Sequence, residues 1–321
     1  MQPRPQSILM PPLPSQRPPT IDAIAAARWE DLAAMTAKSS SPWLHEEVAH
    51  RMEERLQWIV KKPERWMHWD PLRGGLEIHA ALAKRYPQSA CFVTQSPEQA
   101  VPTVRRALSA PWWDVRHWRG AALHFEAPGQ PVQMLWANMA LHMAADPQSL
   151  IARWHGMLES DGFLMFSCLG PDTLRELRSL YAQLGWPAPA HEFTDMHDWG
   201  DMLVQAGFAE PVMDMERITL TFSSAAHLLA ELRGLGRNLH AQRFAGLRGR
   251  RWYADLQARI AQHLADPAHG GRLRLQFEII YGHAFKPQPR MAVRPQTSVS
   301  LDDFRTALRN SPVGGPRDSS A

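Results

Sequence analysis

Residues 65–77 read "RWMHWDPLRGGLE", and the fold turns on them. Trp66, Met67 and Trp69 lie on a short apolar run that reads as a strand over 66–69. Asp70-Pro71 breaks it, and Gly74-Gly75 stand at the head of a helix expected over 76–86. A strand, a tight turn and a glycine-led helix form the frame of a nucleotide-cofactor loop, because glycine lets a ligand approach the backbone closely. Upstream, Trp43, Val48, Met52, Leu56 and Ile59 recur at helical spacing, so 42–60 reads as a helix.

Downstream the pattern repeats. The runs 90–94 (ACFVT), 132–136 (VQMLW) and 162–169 (GFLMFSCL) read as buried strands, with a shorter one over 121–125. Helices are expected from 97 to 108, with Ser96 as cap and Pro97 first, over 147–158, over 172–184 with Asp172 as cap, and over 195–206. Strands alternating with helices imply a parallel sheet covered on both faces. Two long alternating runs, 211–222 and 273–285, are expected to pair at one sheet edge. Between them, 224–265 carries two helices, 225–235 and 251–264, and reads as an insertion able to lid a site. The Pro-rich 1–20 and the polar 288–321 read as disordered tails, which leaves one domain over 21–287.

Composition narrows the classes. The chain has 321 residues, 45% hydrophobic and 21% charged, and a net charge of +3. Acids and bases are interspersed, which argues against nucleic acid as the partner. No run of about 18 apolar residues suggests a membrane span, and residues 1–20 lack the apolar core of a signal peptide. The two cysteines, Cys91 and Cys168, sit far apart on apolar runs, so a disulfide framework is not expected and a cytoplasmic location is. The stretch "HEFTDMHD" (191–198) holds metal-ligand types, but its spacing is no zinc signature; Asp195 reads as a helix cap and no metal is expected.

The strings "LWANMALHMAADP" (135–147), "DGFLMFSCLGPDTLRELR" (161–178), "HEFTDMHDWGDMLVQAGFAEPVMDMERITLTF" (191–222) and "YGHAFKP" (281–287) carry a resemblance. The order of elements resembles the class I S-adenosylmethionine-dependent methyltransferases. Within them, 130–290 is similar to the malonyl-acyl-carrier-protein O-methyltransferases of biotin synthesis. The resemblance implies an α/β, Rossmann-like sheet of seven mostly parallel strands with a terminal β-hairpin. It implies S-adenosylmethionine as cofactor and a malonyl-loaded acyl carrier protein as partner, with transfer of a methyl group to the malonyl carboxylate. It also implies a tyrosine near the N-terminus that closes over the substrate, whereas the first tyrosine here is Tyr86.

On that pattern the acid of the first strand falls at His68, and the three loop glycines fall at Asp70, Leu72 and Gly74, with Gly75 beside the last. The acid that would take the ribose hydroxyls falls at Thr94. Asp70, Gly74, Gly75, Thr94 and Asn138 are therefore the candidate cofactor residues. Asn138 and His142, just beyond a strand end, are the candidates beside the reacting methyl group. Asp70 has a second reading, as a helix cap or turn former. Arg175 is the candidate for the substrate carboxylate, because a guanidinium binds a carboxylate in a bidentate fork; Arg178 reads rather as part of a helix face. Arg233, Arg237, Arg243, Arg248, Arg250 and Arg251 form a basic belt suited to an acidic carrier protein. Trp66, Trp69, Trp112, Trp113 and Trp118 read as core residues before they read as a stacking wall. The altered loop leaves a second reading open: the same fold without turnover, used to bind a carrier protein.

Overall fold

A computed structural model describes residues 21–35, 40–109 and 122–289. The chain divides into two units, Met1–Pro287 and Gln288–Ala321, and the fold below is that of the first. The tail expected over 1–20, residues 290–321 of the tail expected over 288–321, and Trp112, Trp113 and Trp118 lie outside the described residues.

The opening stretch forms β1 (Arg65–Trp69), a single turn of helix α3 (Pro71–Gly74) and α4 (Ile78–Arg85). Before it come α1 (Ala23–Met35) and α2 (Trp43–Arg55). After it come β2 (Ala90–Thr94), α5 (Val101–Leu108), β3 (Leu123–His124), β4 (Val132–Ala137), α6 (Pro147–Met157), β5 (Leu158–Leu169), α7 (Arg175–Gln183) and α8 (Met196–Gln205). The last part holds β6 (Ala209–Phe222), α9 (Ala225–Leu235), α10 (Arg250–His263), the two-residue β7 (Ala265–Asp266) and β8 (Arg272–Phe285).

The strand order is β3-β2-β1-β4-β5-β8-β6, with β7 added on β8. The first five are parallel; β8 runs antiparallel to both β5 and β6. The expected edge pair is present, and the insertion is the connection between its two strands.

Strand side chains alternate between two cores. Trp66, Met134, Trp136, Phe163 and Met165 enter one, which Leu44, Val48 and Met52 of α2 and Ile78 and Leu82 of α4 close. Met67, Trp69, Leu135, Ala137, Leu164 and Phe166 enter the other, with Ile151 and Trp154 of α6 and Trp199 and Leu203 of α8. Burial on both faces is why these strands read as near-continuous apolar runs. Cys91 and Cys168 are buried and unpaired.

Two helix starts differ from expectation. Ser96 does not cap α5. Pro97 is extended at ψ 161°, a tight turn follows over Glu98–Ala100, and the helix begins only at Val101. Asp172 does not cap α7 either. Its carboxylate is taken by Arg175 and Arg217, at 2.6 and 2.8 Å, and left-handed Leu174 precedes the helix instead. Asp195 caps α8 as expected, accepting from the His197 amide at 2.8 Å.

Helix α1 joins the insertion to the loop. The Asp22 amide donates to Leu239 O at 2.8 Å, and its carboxylate pairs with Arg243 at 2.6 Å. The Trp29 ring lies under two guanidinium groups, Arg73 of the loop at 5.2 Å and Arg237 of the insertion at 5.0 Å. The insertion thus reaches the crevice side of the sheet through α1.

Candidate functional site

The parallel strands end in a crevice, where open α/β sheets place their ligands. Register brings the loop and the end of β4 together. His68 pairs with Trp136 across β1 and β4, so Asp70 and Asn138 stand level two residues on; Trp69 pairs with Thr94 across β1 and β2.

Asp70 keeps the backbone shape of the glycine it replaces, at φ 47°, ψ 55°, a left-handed conformation that aspartate tolerates better than most residues. Its amide extends the ladder to Thr94 O at 2.7 Å. Its side chain is buried, accepts from Gln95 Nε2 and lies 3.6 Å from Arg73. Burial raises its pKa from 3.8 to about 6 against the opposing pull of Arg73 and Gln95. The folded state thus binds the proton more tightly than the unfolded one. The stability this adds is present below pH 4 and is lost as pH rises through 6, a difference of roughly 3 kcal/mol. Asp70→Asn is therefore expected to gain stability on the parent by up to about that amount between pH 4 and 7, read from urea midpoints across the range. Parallel pH profiles for the two proteins would show that Asp70 titrates normally.

Gln95 escapes sequence reading, since nothing distinguishes a glutamine at a strand end. Its amide ties the loop: Nε2 donates to Asp70 and to Ser96 O, and Oε1 accepts from the Leu72 amide at 3.1 Å. Thr94 gives its hydroxyl to Met67 Sδ at 3.4 Å. Leu72 is packed in the core. His68 stacks on His79 at 5.6 Å, and burial holds both imidazoles neutral, His79 down to about 4.

The two glycines serve the backbone. A Cβ at Gly74 would stand 2.7 Å from Asn138 O. Gly75 has φ 128°, and a Cβ there would meet Glu46 Oε2 at 3.0 Å. Gly75→Ala is expected to lower unfolding free energy by about 1–3 kcal/mol, the cost of backbone held in a sparsely populated region. A denaturation midpoint equal to the parent's would show that the turn relaxes freely.

Asn138 is buried and its amide is fully engaged. Nδ2 donates to His45 O at 2.8 Å and to Gly74 O, and Oδ1 accepts from Ser167 Oγ at 2.6 Å. One side chain thereby joins α2, the loop, β4 and β5. His142 follows, buried against Phe193, with Nδ1 lacking a protein partner; its carbonyl bonds to His191 Nε2 at 3.0 Å. It lines a small pocket with Ile21, Leu141, Glu192, Phe193 and Thr194.

The structure thus gathers Asp70, Gly74 and Asn138, with Gly75, Thr94 and His142 around them. Arg175 stands apart, exposed and paired with Asp172. Half of the basic belt has structural work: Arg243 pairs with Asp22, Arg237 covers Trp29, and Arg248 packs on Trp252 at 4.0 Å. Arg233, Arg250 and Arg251 are exposed and make no ion pair among the described residues. Phe244 and Leu247 stand exposed before Arg250 in the chain.

The anion seat of the loop is filled from within. Glu46 of α2, itself buried, accepts from the amides of Leu76 and Glu77 with Oε1, at 2.7 and 3.0 Å, and from Ile78 with Oε2, at 3.2 Å. Those are the amides that open α4, where a nucleotide-type ligand would place its negative end. Glu46 thus satisfies from within the chain the amides that open α4, while Asn138 bonds the turn through Gly74 O.

Five parallel strands in the order 3-2-1-4-5, extended by an antiparallel pair and ending in this crevice, define the class I methyltransferase fold. No family model matches the chain. Three bacterial proteins named malonyl-[acyl-carrier protein] O-methyltransferase do. That of Gallionella capsiferriformans is 36% identical over 263 residues, 78% of this chain and 87% of that one. That of Methylovorus is 34% identical over 282 residues, 85% and 92% of the two chains. That of Nitrosospira multiformis is 31% identical over 271 residues, 79% and 86%. The chain belongs to the malonyl-[acyl-carrier protein] O-methyltransferase family. No helix among the described residues is long and apolar enough to cross a membrane.

Proposed function

We propose that the protein methylates the free carboxylate of a malonyl group carried on an acyl carrier protein, in the cytoplasm, in the synthesis of biotin. The observation that carries this is identity of 34–36% with proteins of that name over more than three quarters of the chain. S-adenosylmethionine supplies the methyl group. The acceptor is already an anion and a nucleophile, so the chain need supply no general base; its work is to position the acceptor and exclude water. Asn138 fixes the end of β4 against the loop and α2, which sets the floor of the crevice.

The carrier protein docks on the insertion. Arg233, Arg250 and Arg251 present free positive charge, and Phe244 and Leu247 are exposed apolar residues of the same insertion. An acidic partner is drawn to such a surface by charge and held by apolar contact.

The test is genetic. The gene, expressed in a bacterium that lacks its own malonyl-carrier-protein methyltransferase and so needs added biotin, is expected to restore growth without biotin. Growth only with added biotin, at normal protein levels, would overturn the proposal.

A further inference from the structure

Three guanidinium groups gather at the turn that follows β5: Arg175, Arg178 and Arg217. Two are engaged by one carboxylate. Arg175, its side chain 65% exposed, and Arg217 both pair with Asp172, at 2.6 and 2.8 Å. Arg178 differs. It is half-buried in the first turn of α7, and burial pushes its pKa down. It makes no ion pair among the described residues. Its Nη2 donates to Pro171 O, which brings the group back to the turn and leaves Nε and Nη1 without a protein partner among those residues.

A charge drawn out of water is costly unless a counter-charge meets it. The carboxylates whose field reaches Arg178 are Asp172, Glu192 and Glu278, and Arg175 is the like charge beside it. Asp172 is taken by the other two arginines. Glu278 is buried against Gly170, 3.8 Å from Arg217. Glu192 is exposed and lines the small pocket with His142, which places Arg178 near the rim of that pocket. The turn leaves β5 at Gly170, three residues beyond Ser167, whose hydroxyl bonds to Asn138. The guanidinium thus stands at the crevice end of β5, with two donors and no counter-charge in contact.

We propose that Arg178 binds the malonyl carboxylate. A guanidinium with one amino group fixed to a carbonyl offers its remaining donors in a set direction to a planar anion. Holding the carboxylate through one oxygen leaves the other free as the nucleophile. An acyl group without the carboxylate gains nothing from the contact, so the same residue selects malonyl over acetyl. The inference rests on the proposed malonyl substrate.

The experiment measures, by calorimetry, the binding of malonyl-loaded and acetyl-loaded carrier protein to the full chain, to Arg178→Gln and to Arg178→Lys, with KM for the malonyl carrier alongside. The parent is expected to bind the malonyl carrier at least about tenfold more tightly than the acetyl carrier, equivalent to about 1.4 kcal/mol. Arg178→Gln is expected to lose that preference, binding both as the parent binds the acetyl carrier, and to raise KM about tenfold. Arg178→Lys keeps the charge without the fork and should fall between. Thermal melts establish that each protein is folded, and the lysine variant carries the test should glutamine not fold. A parent without the preference, or a glutamine variant that keeps it, would overturn the inference and leave the substrate assignment standing. So would equal weakening toward both carriers, since the residue would then serve docking or the fold. A parent that binds the malonyl carrier and, given S-adenosylmethionine, leaves it unmethylated would overturn the substrate assignment and the inference with it.

Discussion

Asn138→Ala is expected to lower unfolding free energy by about 3–5 kcal/mol, because it strands three buried partners at about 1–3 kcal/mol for the groups least able to find others. Those partners are His45 O, Gly74 O and the Ser167 hydroxyl. Each lies on a different element, so the amide's loss loosens α2, the loop and β5 together. Ser167→Ala removes one of the same bonds together with the Met139 amide's bond to Oγ, at 3.1 Å, and should cost about 1–3 kcal/mol. Asn138→Asp is expected to resemble the alanine variant, since it turns a donor into an acceptor facing two carbonyl oxygens. Urea unfolding at pH 7 ranks the three. A cost under 1 kcal/mol for Asn138→Ala would show that the amide does not join these elements.

The double variant Arg250→Glu with Arg251→Glu is expected to raise KM for malonyl carrier protein about tenfold or more and leave kcat unchanged. Both residues are exposed, at the start of α10, and make no ion pair among the described residues, so reversal changes the encounter with an acidic partner and little else. The effect should shrink as salt is raised toward 0.5 M, because exposed charges are screened. A malonyl thioester of a small thiol should be used equally by both proteins. An unchanged KM for the carrier protein would move docking off the insertion. A KM raised for the small thioester as well would mean that the substitutions disturb the crevice itself.

Much of the sheet is legible in the sequence because burial on both faces makes its strands continuous in apolar residues; 90–94 and the helix 225–235 have the expected bounds. Helix α1 is not, since it is rich in alanine and, among its described side chains, buries only Ala25 and Ala26 deeply, against Leu239 of the insertion. The crevice is legible as positions and not as contacts. Asp70, Gly74 and Asn138 meet through strand register, which the loop frame foretells. Glu46 reads as an ordinary charged residue on an amphipathic helix; only the fold brings it to amides some 30 residues away. Gln95 is hidden in the same way. The basic belt shows the converse: six arginines look alike in sequence, yet Trp29, Asp22 and Trp252 engage three of them. Charge pattern alone does not separate a structural guanidinium from a free one.

The most direct test of the account is mass spectrometry of malonyl-loaded acyl carrier protein after incubation with this protein and S-adenosylmethionine. The account predicts that the malonyl-loaded carrier gains one methyl group, that it does so only with both components present, and that an acetyl-loaded carrier, which lacks the free carboxylate, gains none. An unmodified malonyl carrier, from protein that binds S-adenosylhomocysteine, would contradict it.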